Sequence, residues 1–205
     1  MALFDDASLV TTPNGYKAGT LYSIKPTSGA GDMDVVRATT ATRVNSAGLI
    51  ESVAINVPRL DYLNASCPSL LLEPQRTNLV LRSEEFSNAS WTKSFATITD
   101  NVTTAPDGTM TADKLVDEAT LNQHRINQTT TSAIGTNTFS VFAKKSEKDS
   151  ILLRVGLSGA YFDLTNGTAS GASGVTTSIV NYGNGWYKCS IVRTSTVANE
   201  IVRIN

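Results

Sequence analysis

The punctuation of the chain restricts its fold more than any other feature. From Trp91 onward, short strand-like runs recur at Trp91–Lys93, Ser94–Thr99, Phe139–Ala143, Ile151–Val155, Ala160–Leu164 and Ser178–Tyr182. Turn signals separate them, among them Pro106-Asp107-Gly108, Thr165-Asn166-Gly167 and Gly183-Asn184-Gly185. Short strands at regular spacing with Gly and Asn turns are the pattern of a β-sandwich or jelly roll. Gly185 to Arg193 reads as a central strand, with Trp186, Lys188, Ser190 and Val192 on one face and Tyr187, Cys189, Ile191 and Arg193 on the other. The run Ile201–Asn205 reads as a final strand without a cap, which predicts an unpartnered edge. On that reading the sequence is the front part of a longer chain, or another chain completes the sheet.

The first sixty residues differ. They lack the helical 3.6-residue period, and their extended runs are interrupted at Thr12-Pro13-Asn14-Gly15, at Lys25-Pro26-Thr27 and at Ser28-Gly29-Ala30-Gly31. Leu21–Ile24 and Val35–Thr39 read as short strands, and Ala41 to Glu51 as a hairpin turning at Asn45–Gly48. Leu70-Leu71-Leu72 before Glu73-Pro74 predicts a buried strand followed by a forced turn, because proline drives the preceding residue out of the helical region.

Composition narrows the function classes. Seventeen basic residues against eighteen acidic ones give a net charge of −1, so no broad positive field draws in nucleic acid or anionic membrane. No cationic start followed by an apolar core occurs in the first twenty-five residues, and no apolar run is long enough to span a bilayer. Abundant Thr, Ser, Asn and Gly favour strands and turns. Cys67 and Cys189 exclude a disulfide framework, leaving either one bridge or two idle thiols. The five Asn-x-Ser/Thr triplets are attributed to this composition rather than to glycosylation.

Several motifs together are similar to one family. They are Leu21 to Pro26, Arg37 to Asn45 with Gly48 to Glu51, Pro58 to Tyr62, and Leu70 to Leu79. In combination they resemble bacteriophage fibre and appendage proteins of the virion, described as tail fibre or head fibre, as in crAss-like and marine phages. In that family a stereotyped N-terminal module precedes a sandwich similar to carbohydrate-binding modules. Ser83 to Asn88 with Trp91 look like the entry of that sandwich, and Asn184 to Tyr187 like its late strand. The resemblance implies a homotrimer, located in the virion and anchored to a capsid, portal, collar or tail protein. The balanced charge and the absence of a long apolar run predict neither nucleic-acid binding nor membrane insertion.

Sharper chemistry competes poorly with plain structural roles. His124 is the only histidine and has no nucleophile motif beside it, so it reads as a strand residue. Glu84, Glu85, Asp113, Asp117, Glu118 and Asp163 are the carboxylates a depolymerase would need, and no spacing pairs them. Gly29 to Asp34 has neither the lysine of a P-loop nor the ligand series of an EF-hand, and reads as a tight turn. Tyr161, Tyr182 and Trp186 are candidates for stacking on a host glycan, with the core as the preferred place for Trp186. Arg37, Arg43, Arg59 and Arg76, with Asp61 and Glu73, fall in the motif-bearing segment and are candidate interface latches.

The sequence thus predicts an all-β protein: an irregular extended attachment and oligomerisation segment with short hairpins over 1–82, then a jelly-roll-like β-sandwich over 83–205. The function it points to is a non-enzymatic, cofactor-free fibre of the virion whose N-terminus anchors and whose sandwich spaces or presents a host-contacting region. The alternative is an adhesin whose sandwich itself binds host surface polysaccharide.

Overall fold

The computed structural model describes residues 3–205 and is nearly all β. It divides into two compact units, the break falling between Gln75 and Arg76.

The first unit opens with a single helical turn, α1 (Leu3–Asp6), followed by β1 (Val10–Lys17), β2 (Thr20–Lys25) and β3 (Met33–Asp34) in one antiparallel sheet ordered β1-β2-β3. The β1–β2 link is a two-residue turn at Ala18-Gly19, both at positive φ, the backbone that suits the twist of a hairpin. Strand β1 runs through Thr12-Pro13-Asn14-Gly15, where the sequence predicts a break. The register accommodates it: from Thr11 to Tyr16, five steps along β1 match two along β2, so the segment around Pro13 bulges out of the ladder. Two hairpin-like pairs follow: β4 (Ala41–Val44) with β5 (Ile50–Val53), and β6 (Leu60–Asp61) with β7 (Ser69–Leu70). The β4–β5 turn is held by the Asn45 side chain, whose Oδ1 accepts from Ala47 N at 2.9 Å and Leu49 N at 3.1 Å.

Two expectations for this unit fail. Val35–Thr39 is not a strand, because β3 pairs with β2 at Met33–Asp34 and the following backbone leaves the sheet. The leucine run is not buried: Leu70 and Leu71 are half-buried and Leu72 is 81 % exposed, and β7 is only two residues long.

The second unit begins with an irregular lead-in. Gln128 receives a bond from Leu81 N at 2.6 Å and donates to Leu81 O at 3.0 Å, and Trp91 Nε1 donates to Arg82 O at 3.0 Å. Residues 76–82 therefore pack with the sandwich. Its strands are β8 (Thr92–Ser94), β9 (Ala96–Thr103), β10 (Ala112–Asp117), β11 (Arg125–Thr129), β12 (Gly135–Lys144), β13 (Ser150–Val155), β14 (Ser158–Asp163), β15 (Thr168–Gly171), β16 (Val175–Asn181), β17 (Trp186–Ser195) and β18 (Ile201–Ile204).

A six-stranded sheet ordered β15-β14-β13-β18-β11-β8 shares its core with a three-stranded sheet, β12-β17-β16, and β9–β10 form a separate hairpin. The six-stranded sheet contributes Ile126, Leu153, Val155, Ala160, Phe162, Val202 and Ile204 to the core, and the other sheet contributes Phe139, Ala143, Cys189 and Ile191. Each large apolar side chain buried in this way contributes about 1.5–3 kcal/mol. The alternation expected in β17 holds, with Cys189 and Ile191 in the core. The expected edge does not exist: β18 lies between β13 and β11 and is hydrogen-bonded to both.

Candidate functional site

The sequence pattern of the six-stranded sheet determines what its outer face displays. Leu153 and Val155, Val202 and Ile204, and Ile126 point into the core, so the residues next to them along each strand point out. Arg154, Arg203 and Arg125 are among these.

Register brings the three together. Arg154 is directly opposite Arg203, and Arg203 is directly opposite Asn127. Two residues along, Leu152 and Asn205 exchange both backbone bonds at 3.0 Å, and Tyr161 is opposite Leu152 on the other side. Extending the Ile126–Ile204 pairing by one residue places Arg125 opposite Asn205. Each arginine is thus a direct or diagonal neighbour of the next, and Tyr161 is diagonal to Arg154, within reach for long and aromatic side chains.

The arginines are positioned from the protein's own backbone. Arg154 Nη2 donates to Leu157 O at 2.7 Å, Arg203 Nη1 to Gly156 O at 2.6 Å, and Arg125 Nη1 to Gln123 Oε1 at 3.2 Å. Gly159 faces Arg154 across the β13–β14 ladder, and a Cβ there would come within 2.6 Å of Arg154 Cγ, so the guanidinium stem lies over bare backbone. Among the described residues none of the three forms an ion pair with a carboxylate. Partial burial, with the positive charges of Arg154 and Arg125, pushes the Arg203 guanidinium below its ordinary value. Arg125 Nε and Asn205 Oδ1 are buried atoms without a hydrogen-bond partner within the protein. This face can hold an anion or an acceptor-rich ligand.

The aromatic candidates separate. Tyr161 is 61 % exposed on this face. Tyr182 is half-buried and packs edge-on against Phe142, with ring centroids 5.0 Å apart. Trp186 offers no face to a sugar: it is buried, and its Nε1 donates to Thr104 O at 3.0 Å. The core reading of Trp186 is the one the structure has.

The candidate latches of the first unit have intramolecular partners. Arg37 donates to the carbonyls of Thr39, Val57, Val53 and Ala54. Glu51 is held below its usual value by the Asn45 side chain, which donates to it at 3.0 Å, and by Arg43, which pairs with it at 2.7 Å across β4–β5. Arg59 binds Glu73 at 2.6 Å and Thr42 O at 2.7 Å, while Asp61 accepts from Val44 N at 2.7 Å. Arg76 is the first residue of the second unit. These side chains stitch short strands that have few apolar neighbours.

Three of the other candidate carboxylates have protein partners. Asp113 accepts from Phe86 N and Asn101 N, Asp117 pairs with Lys148, and Asp163 caps the Thr165–Asn166 turn. His124 Nδ1 bonds to Phe95 O. No group of three His, Cys, Asp or Glu able to hold a metal occurs among the described residues.

Sequence reasoning missed the arginine face. Its local signal is visible as Leu-Arg-Val, Val-Arg-Ile and Arg-Ile-Asn, a charge between core positions, but only the non-local pairing of β13, β18 and β11 makes it one site. Glu200, the buried acid, was also missed. Comparison of the sequence with protein-family models and with curated proteins gives no match in either case.

Proposed function

We propose that the chain is a non-enzymatic structural component of a bacteriophage virion appendage, a homotrimeric fibre whose first unit attaches to the particle. The observation that carries this reading is the distribution of apolar surface in the first unit. Among its described residues Leu21, Val44 and Val53 are the buried aliphatic side chains, whereas Leu3, Phe4, Ile24, Val36, Ile55 and Leu72 are exposed. Coverage of these side chains by a partner or by sister subunits would offset the entropy of ordering so many short pieces. The resemblance of Tyr22 to Leu79 to phage fibre proteins supplies the setting. A capsid, portal, collar or tail protein is the expected anchor.

Sedimentation of the full chain tests the oligomer, and imaging of the intact particle tests the anchor. A trimer that dissociates when Val36 and Leu72 are replaced by Asp is the expected result. A monomer whose first sixty residues resist protease on their own would overturn the reading.

A second reading, that the sandwich itself binds host polysaccharide, is favoured by one observation: the exposed Tyr161 ring among outward-facing polar side chains.

A further inference from the structure

We propose that the outer face of the six-stranded sheet, over Arg125, Arg154, Arg203 and Tyr161, binds an acidic polysaccharide. Guanidinium forks take its carboxylate or sulfate groups, and one ring stacks on Tyr161. The proposal rests on the reading in which the sandwich itself contacts glycan.

The first argument is electrostatic. Like charges directly opposite on neighbouring strands repel, and Arg154 faces Arg203 with Arg125 diagonal to it. No carboxylate among the described residues relieves them. An arrangement that costs stability in the free protein gains it back when an anion enters. The second argument is preorganisation. Each guanidinium is tied by one bond, to Leu157 O, Gly156 O or Gln123 Oε1, which fixes its direction and leaves further N–H donors unspent. Arginine's planar fork matches the two oxygens of a carboxylate or the edge of a sulfate.

The third argument concerns what carries the anion. Tyr161 is the exposed aromatic in this array, and a sugar ring presents the apolar C–H face that stacks on it. Strands are about 4.8 Å apart, a repeat of the same order as one sugar in an extended chain, so successive acidic groups can meet β13, β18 and β11 in turn. Asn127, directly opposite Arg203, offers an amide to ring hydroxyls. Duplex DNA fits less well, because the chain carries a net charge of −1.

The test uses the full chain with four immobilised probes: alginate for carboxylate, dextran sulfate for sulfate, dextran as a neutral glycan, and duplex DNA as a non-sugar polyanion. Expected is binding to alginate or dextran sulfate, without binding to dextran. An Arg154→Gln/Arg203→Gln variant should lose on the order of tenfold or more in affinity and show a shallower salt dependence. Tyr161→Ala should weaken binding while leaving the salt dependence unchanged. Because Tyr161 is exposed, that variant stays informative even if the arginine pair proves necessary for folding, which thermal unfolding reports.

Binding to neither charged glycan would overturn the proposal, as would unchanged affinity in the arginine variant. DNA binding that matches glycan binding and ignores Tyr161→Ala would reassign the face to polyanions in general. Tyr161-dependent binding to dextran equal to that of the charged glycans would sink the acidic assignment and spare the glycan reading. Binding to none of the three glycans would sink both.

Discussion

Arg193 and Glu200 form an ion pair in which the carboxylate side chain is only 3 % exposed, and Ser195 Oγ donates to its second oxygen. The Glu200 backbone is fixed too: its N donates to Ser132 Oγ at 3.1 Å, and its carbonyl accepts from Thr130 N and Oγ1 at 3.0 Å. Arg193 also donates to Val155 O at 3.1 Å, so the pair joins the ends of β17, β13 and the loop before β18. Removing one partner of a buried pair strands the other. Glu200→Ala should destabilise the second unit by about 3 kcal/mol, read as a lower urea midpoint at unchanged slope. A loss under about 0.5 kcal/mol would place the pair among ordinary surface contacts.

Gly156 sits under that pair at φ +59, and a Cβ would lie 2.7 Å from Arg193 Nη1 and 2.9 Å from Glu200 Oε1. Gly156→Ala should cost about 1–3 kcal/mol from backbone strain and crowding. In a Glu200→Ala background the crowding is partly removed. A double-mutant cycle should therefore show the second change costing less than it does alone, and strict additivity would contradict the packing described.

Trp186 and Tyr161 should respond oppositely. Trp186→Phe leaves Thr104 O without its indole donor and hollows a buried site, with an expected loss of about 1–3 kcal/mol. Tyr161→Ala should stay within about 0.5 kcal/mol of wild type, because the ring is on the surface. Chemical denaturation of both variants checks the contrast.

Cys67 is exposed and Cys189 buried, and both are free. Burial pushes the Cys189 thiol up to about 12 from an ordinary 9.0. Iodoacetamide should modify Cys67 in the native protein and reach Cys189 only in denaturant, as read by mass spectrometry. The unfolded chain releases this proton from about pH 9 while the folded one retains it. The thiol thus leaves stability unchanged below pH 9 and erodes it as pH rises through the window to about 12.

The all-β architecture was legible because alternation and turns are local. The β4–β5 hairpin, the inward Cys189 and Ile191 of β17, and the strands around Leu153 and Phe162 all follow from nearest neighbours in sequence. What was not legible depends on pairing at a distance. Ile201–Asn205 reads as an edge because nothing local shows that residues some seventy positions earlier will flank it. For the same reason Arg125, Arg154 and Arg203 look like three ordinary surface charges. Pro13 and the Leu70–Leu72 run misled in another way: one is absorbed by a bulge, and the other stays largely at the surface.

The placement of β18 also bears on the order in which the second unit assembles. Until Ile201–Ile204 arrives, β8 with β11 and β13 with β14 and β15 are two separate ribbons with no backbone bond joining them. Strand β18 is the one that closes the sheet, so the sheet is completed only once β18 is made, with the open flanks of β11 and β13 available meanwhile to any neighbouring copy.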